Sequence, residues 1–141
     1  MLLGYNTNGL QNHRLEDALR LLAEHGYAMV ALTPDVCHLD PFRATPGEVQ
    51  AIGSLLRQLG LGVVMETGAR FVLDPGRKHA PTLMAREPGE RSRRLDYYAR
   101  CAAMGRDLGA RVLSFWAGVD PVSGPDSFAW LCEGVARTAA L

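Results

Sequence analysis

Residues 60–67 read GLGVVMET: a glycine, a run that stays apolar almost to its end, then a carboxylate and a hydroxyl. Two further stretches have the same form, GYAMVALT at residues 26–33 and GARVLSFW at residues 109–116. Each follows a segment whose apolar residues recur at helical spacing, and each glycine stands where a helix closes in the left-handed conformation. Another apolar run, residues 2–6, opens the sequence without a helix before it. The repeated unit is therefore strand, loop, helix, glycine, next strand. Near-continuous apolar strands are those covered on both faces in a parallel sheet.

The intervening segments support this reading. The first helix is expected over residues 14–25, with Leu15, Ala18, Leu19 and Leu22 on one face and Glu16 and Asp17 in the first turn. The second starts with Thr45 as N-cap, Pro46 at N1 and Glu48 completing a capping box. Val49, Ile52, Leu55, Leu56 and Leu59 form its buried stripe, and Gly60 stops it. Strands are expected over residues 27–33, 61–66 and 111–116. The third helix begins at Pro88 or Gly89 and runs to about Leu108, with Leu95, Tyr98, Ala102 and Leu108 near one face. A fourth begins near Asp126, and Leu141 is expected to lie inside it. Residues 67–87 make an unusually long connection, and long connections in compact domains tend to carry function.

Strands alternating with helices give an α/β fold with parallel strands and right-handed crossovers. Two architectures fit, an open doubly wound sheet and a (β/α)8 barrel of TIM type. Four units are about half of a barrel, whose usual length is roughly 250 residues. The partial or half barrel is the favoured reading, with residues 1–141 as its N-terminal half.

The bulk numbers narrow the function classes. Fifteen basic and fifteen acidic residues cancel, which argues against nucleic acid or an anionic membrane as the main partner. Cys37, Cys101 and Cys132 make no paired motif, as in a reduced cytoplasmic protein, and Cys101 and Cys132 are expected to be buried in helices. No signal peptide or membrane span is expected.

In either architecture ligands bind beyond the carboxyl ends of the strands. Those ends carry Asn6, Thr7 and Asn8; Thr33, Asp35 and His38; Glu66, Thr67 and Arg70; and Trp116 and Asp120. Glu66 ends GVVM directly and could act as a base, bind a hydroxyl or approach a metal; its structural alternative is an ion pair with Arg70. His38 suits a metal or a substrate, or is an ordinary loop histidine. Trp116 is a stacking platform for a sugar or a core residue. The segment DPGRKH, residues 74–79, gathers Arg77, Lys78 and His79, which would suit a phosphate or carboxylate. Arg91, Arg93 and Arg94 read as a solvated helix face. No Walker loop, GxGxxG, GxSxG or HExxH motif is present, so a nucleotide cofactor is not expected.

LLGYNTNGL at the start, ALTPD with His38 close behind, and above all VVMETGARFVLDPGRKHAPTL carry a resemblance. The sequence resembles the sugar phosphate isomerase/epimerase group of xylose isomerase-like TIM barrels, which also includes endonuclease IV-type enzymes. The resemblance implies a divalent-metal enzyme (Mn, Mg, Co or Zn) moving a proton between adjacent carbons of a sugar or sugar phosphate. The metal ligands it implies come mainly from strands five to eight and are expected beyond Leu141. None is therefore assigned here, and Glu66 and His38 are the only candidates within the chain. Asn6, Asp35, His38, Glu66, Arg70, Lys78, His79 and Trp116 are the expected substrate-binding residues. Endonuclease chemistry fits poorly, because Glu66 and Trp116 stand where that branch places histidines. The alternatives are a non-catalytic sugar- or phosphate-binding half barrel, dimeric through exposed barrel edges, and a small open α/β regulatory domain.

Overall fold

The computed structural model describes residues 1–141. The elements follow the expected order: β1 (Gly4–Asn6), a short 3-10 helix (Thr7–Leu10), α1 (Leu15–Glu24), β2 (Met29–Leu32), α2 (Pro46–Leu59), β3 (Gly62–Glu66), α3 (Pro88–Leu108), β4 (Leu113–Ser114) and α4 (Pro125–Ala139). Asn8 and Gly9, a turn-forming pair, fall inside the 3-10 helix, which Asn6 caps by accepting from the Asn8 amide. At α2 the capping box forms as read, and Gly60 closes the helix in the left-handed conformation at φ 67°. Gly109 does the same for α3 at φ 85°.

Leu141 lies just past α4 rather than inside it, as the apolar pattern had implied. Its amide donates to the Thr138 carbonyl at 3.2 Å, a bond over three residues that tightens the last turn. Its own carbonyl accepts from Arg106 Nη1 at 3.1 Å, which ties the end of α4 to α3.

All four strands are parallel and lie in the order β1-β2-β3-β4. Sequential order with right-handed crossovers sends every connecting helix to the same face of the sheet. A doubly wound sheet needs a reversal of strand order to place helices on its second face. The order therefore decides between the two architectures: this is a sector of a (β/α)8 barrel.

The main core lies between that face and the helices. Val30 and Leu32 of β2 and Val63 and Met65 of β3 pack with Leu19, Leu22, Ile52, Leu56 and Leu108. Burying each such side chain is worth about 1.5–3 kcal/mol. The strands are not covered equally on both faces, as their composition suggested. They alternate between buried and half-buried residues, so Met29, Ala31, Val64 and Glu66 occupy the inner, concave face. The reason is topological: with all helices outside, the inner face meets only what fills the barrel. β4 is also shorter than the expected run 111–116 and pairs only through Leu113 and Ser114, as suits a strand with one neighbour. No helix is long and apolar enough to cross a membrane.

A second core sits under the long β3–α3 loop, where Ala69, Leu73 and Leu83 meet Tyr97, Tyr98 and Cys101. The inward stripe of α3 is thus Tyr97, Tyr98, Cys101, Met104 and Leu108, while Leu95 and Ala102 are only half-buried.

Candidate functional site

Three strand ends meet in one cluster of oxygens. β3 places Glu66 on the inner face because its neighbour Met65 points into the core. Thr33 follows β2 directly, and its hydroxyl lies 2.9 Å from Glu66 Oε2 and 2.8 Å from Asn6 Oδ1. Asn6 Oδ1 also accepts the Asn8 amide at 2.8 Å, which fixes that atom as the oxygen. The single hydroxyl proton of Thr33 therefore faces two acceptors. Thr33 is itself held by its own amide, which donates to Thr7 Oγ1 at 3.0 Å. Such a cluster has spare acceptor capacity, suited to the hydroxyl hydrogens of a polyol.

Arg70 does not pair with Glu66, the structural alternative for that carboxylate. Its Nε lies 3.1 Å from Asp35 Oδ2, and its Nη1 donates to Asn8 Oδ1. Arg70 thereby ties the β1, β2 and β3 loops together. Ala69, Arg70 and His79 all have positive φ, at 61°, 36° and 66°. Non-glycine residues in this region are strained and concentrate at functional sites. The loop folds back on itself there, with the His79 amide 2.5 Å from the Arg70 carbonyl.

His79 is held in one tautomer. Its Nδ1 lies 2.6 Å from the Gly68 carbonyl, so Nδ1 carries the proton and donates. In the neutral ring Nε2 is then a bare acceptor. The ring meets Trp116 edge to face, with centroids 5.0 Å apart. Trp116 is 43% exposed, which removes the core alternative for it. The two residues line a cavity of about 360 Å³ between the β3–α3 and β4–α4 loops, together with Lys78, Thr82, Arg86 and Val119.

Arg94 departs most from the sequence reading. It is not part of a solvated face but only 1% exposed. Its Nη2 donates to the Thr67 carbonyl at 3.1 Å and its Nη1 reaches the His79 carbonyl at 3.4 Å. The guanidinium lies over Tyr98 and Tyr97, 4.8 and 5.5 Å from the ring centroids. Burial pushes both phenols above their ordinary range. A signal for this is present in the sequence: residue 94 shares the helical stripe of residues 97, 98, 101 and 108. Arg91 is half-buried, donating to the Ala85 and Arg86 carbonyls and covering Trp130 at 4.4 Å. Arg93 alone of the three is exposed.

Other candidates are placed elsewhere. His38 is 1% exposed, and its Nε2 donates to the His13 carbonyl at 3.0 Å, anchoring the loop after β2 to the entry of α1. Asp35 is engaged by Arg70 and by the Val36 amide. Arg77 is held by Asp74 at 2.7 Å and Glu90 at 2.8 Å, which raises its pKa and lowers that of Asp74. Asp120 accepts from Ser127, Val122 and Ser123 and so organises the start of α4. Cys132 is exposed rather than buried, while Cys101 is buried as expected.

The resemblance implies a divalent metal, and the residues present do not form a cage for one. No group of three or more His, Cys, Asp or Glu side chains converges anywhere between Met1 and Leu141. Glu66 is the one carboxylate in the strand-end cluster, and His38 is turned to His13.

A family model described as a xylose isomerase-like TIM barrel matches residues 19–141. No curated protein sequence matches the chain. Among solved structures, a D-psicose 3-epimerase in the presence of D-fructose superposes with a TM-score of 0.78 at 12% identity, covering 99% of this chain and 48% of its own. The D-psicose 3-epimerase of Clostridium cellulolyticum H10 with D-tagatose gives 0.75 at 12% identity, covering 99% and 48%. An L-ribulose 3-epimerase gives 0.74 at 16% identity, covering 99% and 45%. At such identities the likeness is one of fold, and the chain spans about half the length of these proteins.

Proposed function

The chain belongs to the xylose isomerase-like TIM-barrel family, and from that premise we propose that it is part of a sugar or sugar-phosphate isomerase or epimerase. The observation that carries this reading is the oxygen cluster of Asn6, Thr33 and Glu66 on the inner face. It stands at the carboxyl ends of the strands, where barrels of this type bind their ligands. Its spare acceptors would take the hydroxyl hydrogens of the sugar, with Glu66 as the orienting carboxylate. Trp116 would cover a ring or carbon chain, and His79 Nε2 would accept a further hydroxyl. Proton transfer between adjacent carbons would belong to the complete barrel, with a divalent metal as the resemblance implies. The ligands of that metal would come from units beyond Leu141. The four units alone are then expected to bind without turning over.

The test is deuterium exchange. The complete eight-unit protein, incubated with ketoses and Mn²⁺ in deuterium oxide, should place deuterium on the carbon that is epimerised or isomerised. Residues 1–141 alone should not. If the complete protein incorporates no deuterium and binds no divalent ion in calorimetry, the reading falls.

One observation favours a second reading. Both edges of the sheet, β1 and β4, are unpaired, and Leu2, Leu3, Tyr5 and Val112 beside them are exposed. A binding half barrel could close these edges with a second copy. Sedimentation of residues 1–141 as a monomer at high concentration would exclude that form.

A further inference from the structure

We propose that the cavity beside Trp116 is an anion subsite, which receives the phosphate or carboxylate end of a sugar whose hydroxyls meet Glu66. The sugar half of this statement rests on the function proposed above; the anion half rests on the cavity itself.

Arg77, Lys78, Arg86 and Glu90 line the cavity. Glu90 is already engaged by Arg77 at 2.8 Å, and Arg77 is held a second time by Asp74. Lys78 and Arg86 have no carboxylate within ion-pair distance. Two uncompensated cations therefore face one hollow that has no free acid. The Thr82 hydroxyl accepts from the Met84 amide at 3.2 Å and keeps its own proton to donate. Charge-assisted bonds from such donors are the strong ones in anion recognition.

Trp116, Val119, Pro121 and Val122 form an apolar side, suited to the carbon chain that carries the anion. The volume of about 360 Å³ is within the range of small-molecule pockets. The cavity also adjoins the oxygen cluster. A methyl group added at Gly68 would lie 3.5 Å from Glu66 Oε1 and 3.7 Å from His79 Cε1, so these two side chains flank the same narrow gap. His79 in turn lines the cavity. A ligand that is polyol at one end and anionic at the other would span the two.

The test is an amide and indole NMR titration of residues 1–141 with four probes: inorganic phosphate, fructose, fructose 6-phosphate and glucuronate. Saturable shifts of Lys78, Arg86 and the Trp116 indole with the anionic probes are expected, weakened about tenfold or more in K78Q/R86Q. Tighter binding of the phosphate ester identifies a phosphate source, and tighter binding of glucuronate a sugar acid. Equal affinity in wild type and K78Q/R86Q, or no saturable shift with any anion, overturns the proposal. Fructose shifting Asn6, Thr33 and Glu66 while the anions do nothing would sink the subsite and leave the sugar reading standing. Inorganic phosphate binding with no sugar perturbing those residues would do the reverse.

Discussion

The Thr33 hydroxyl lies 2.9 Å from Glu66 Oε2, so the first residue past β2 is bonded to the last residue of β3. Thr33 is 2% exposed, and its side chain is the link between the β1 and β3 ends of the cluster. Thr33→Val keeps the volume and removes the only proton shared by Asn6 and Glu66. It should cost about 1–2 kcal/mol in urea unfolding and weaken sugar binding at the strand ends. Glu66→Gln retains an acceptor for Thr33 and should cost less than about 1 kcal/mol, yet lose any turnover of the complete barrel that needs the carboxylate.

Arg70 and Asp35 form an ion pair in which the Asp35 side chain is 7% exposed. Arg70→Met strands that carboxylate and should destabilise by about 2–4 kcal/mol. The double variant R70M/D35N should recover part of the loss, because the charge left behind is gone. An R70M protein as stable as wild type would mean that the pair is solvated in solution.

The fold is legible in the sequence where local chemistry repeats. Thr45, Pro46, Glu48 and Gly60 specify the two ends of α2 by short-range bonds alone. The strand ends are legible for the same reason, since Asn6, Thr33 and Glu66 each follow an apolar run. Which of these side chains face one another is not, because register and barrel curvature set that. Arg94 escapes the sequence reading because a charged residue near a helix start is normally solvated, and that expectation outweighs its place on the stripe of Tyr97, Tyr98 and Cys101. Arg70 has Glu66 and Asp74 equally near in sequence, four residues to either side, whereas the fold pairs it with Asp35. The end of α4 is equally hidden, since no capping residue marks where the helix gives way before Leu141.

Asp120 predicts an acid-sensitive start to α4. Its carboxyl is held below the usual range by the Ser127 hydroxyl first, then by the Ser123 and Val122 amides. A folded-state pKa below the unfolded value of about 3.9 means that the stabilising contribution is present above that value. It is lost as pH falls through the lower folded value. Asp120→Asn should therefore melt lower than wild type at pH 7, with the gap closing as both are acidified. A gap that persists at pH 2 would show that the contribution is not electrostatic.

The cysteines should separate by reactivity. Cys132 and Cys37 are exposed and Cys101 is buried. Burial pushes the Cys101 thiol up to about 12, and burial followed by the charge of Asp35 pushes Cys37 up to a lesser degree. Because the thiolate is the reacting species, iodoacetamide at pH 8 should modify Cys132 first and Cys37 more slowly. Cys101 should react only in denaturant. Peptide mass spectrometry reads the order, and early labelling of Cys101 would show that the second core opens in the native state.

Arg94 tests how the β3–α3 loop is held. It donates to the carbonyls of Thr67 and His79, two points that bracket the loop carrying Arg70 and DPGRKH. No carboxylate pairs with it, so the charge is met only by carbonyl dipoles and the rings of Tyr97 and Tyr98. Removing an unpaired buried charge relieves its desolvation, which offsets part of the cost of leaving the Thr67 and His79 carbonyls without a donor. Arg94→Met should thus shift the urea midpoint little while freeing the loop, with amide exchange over residues 68–80 rising about tenfold or more. Arg94→Lys, with one compact ammonium instead of a fork, should hold one carbonyl and fall between the two. Unchanged exchange in R94M would mean that the backbone bonds of the loop suffice to hold Glu66 and His79 together.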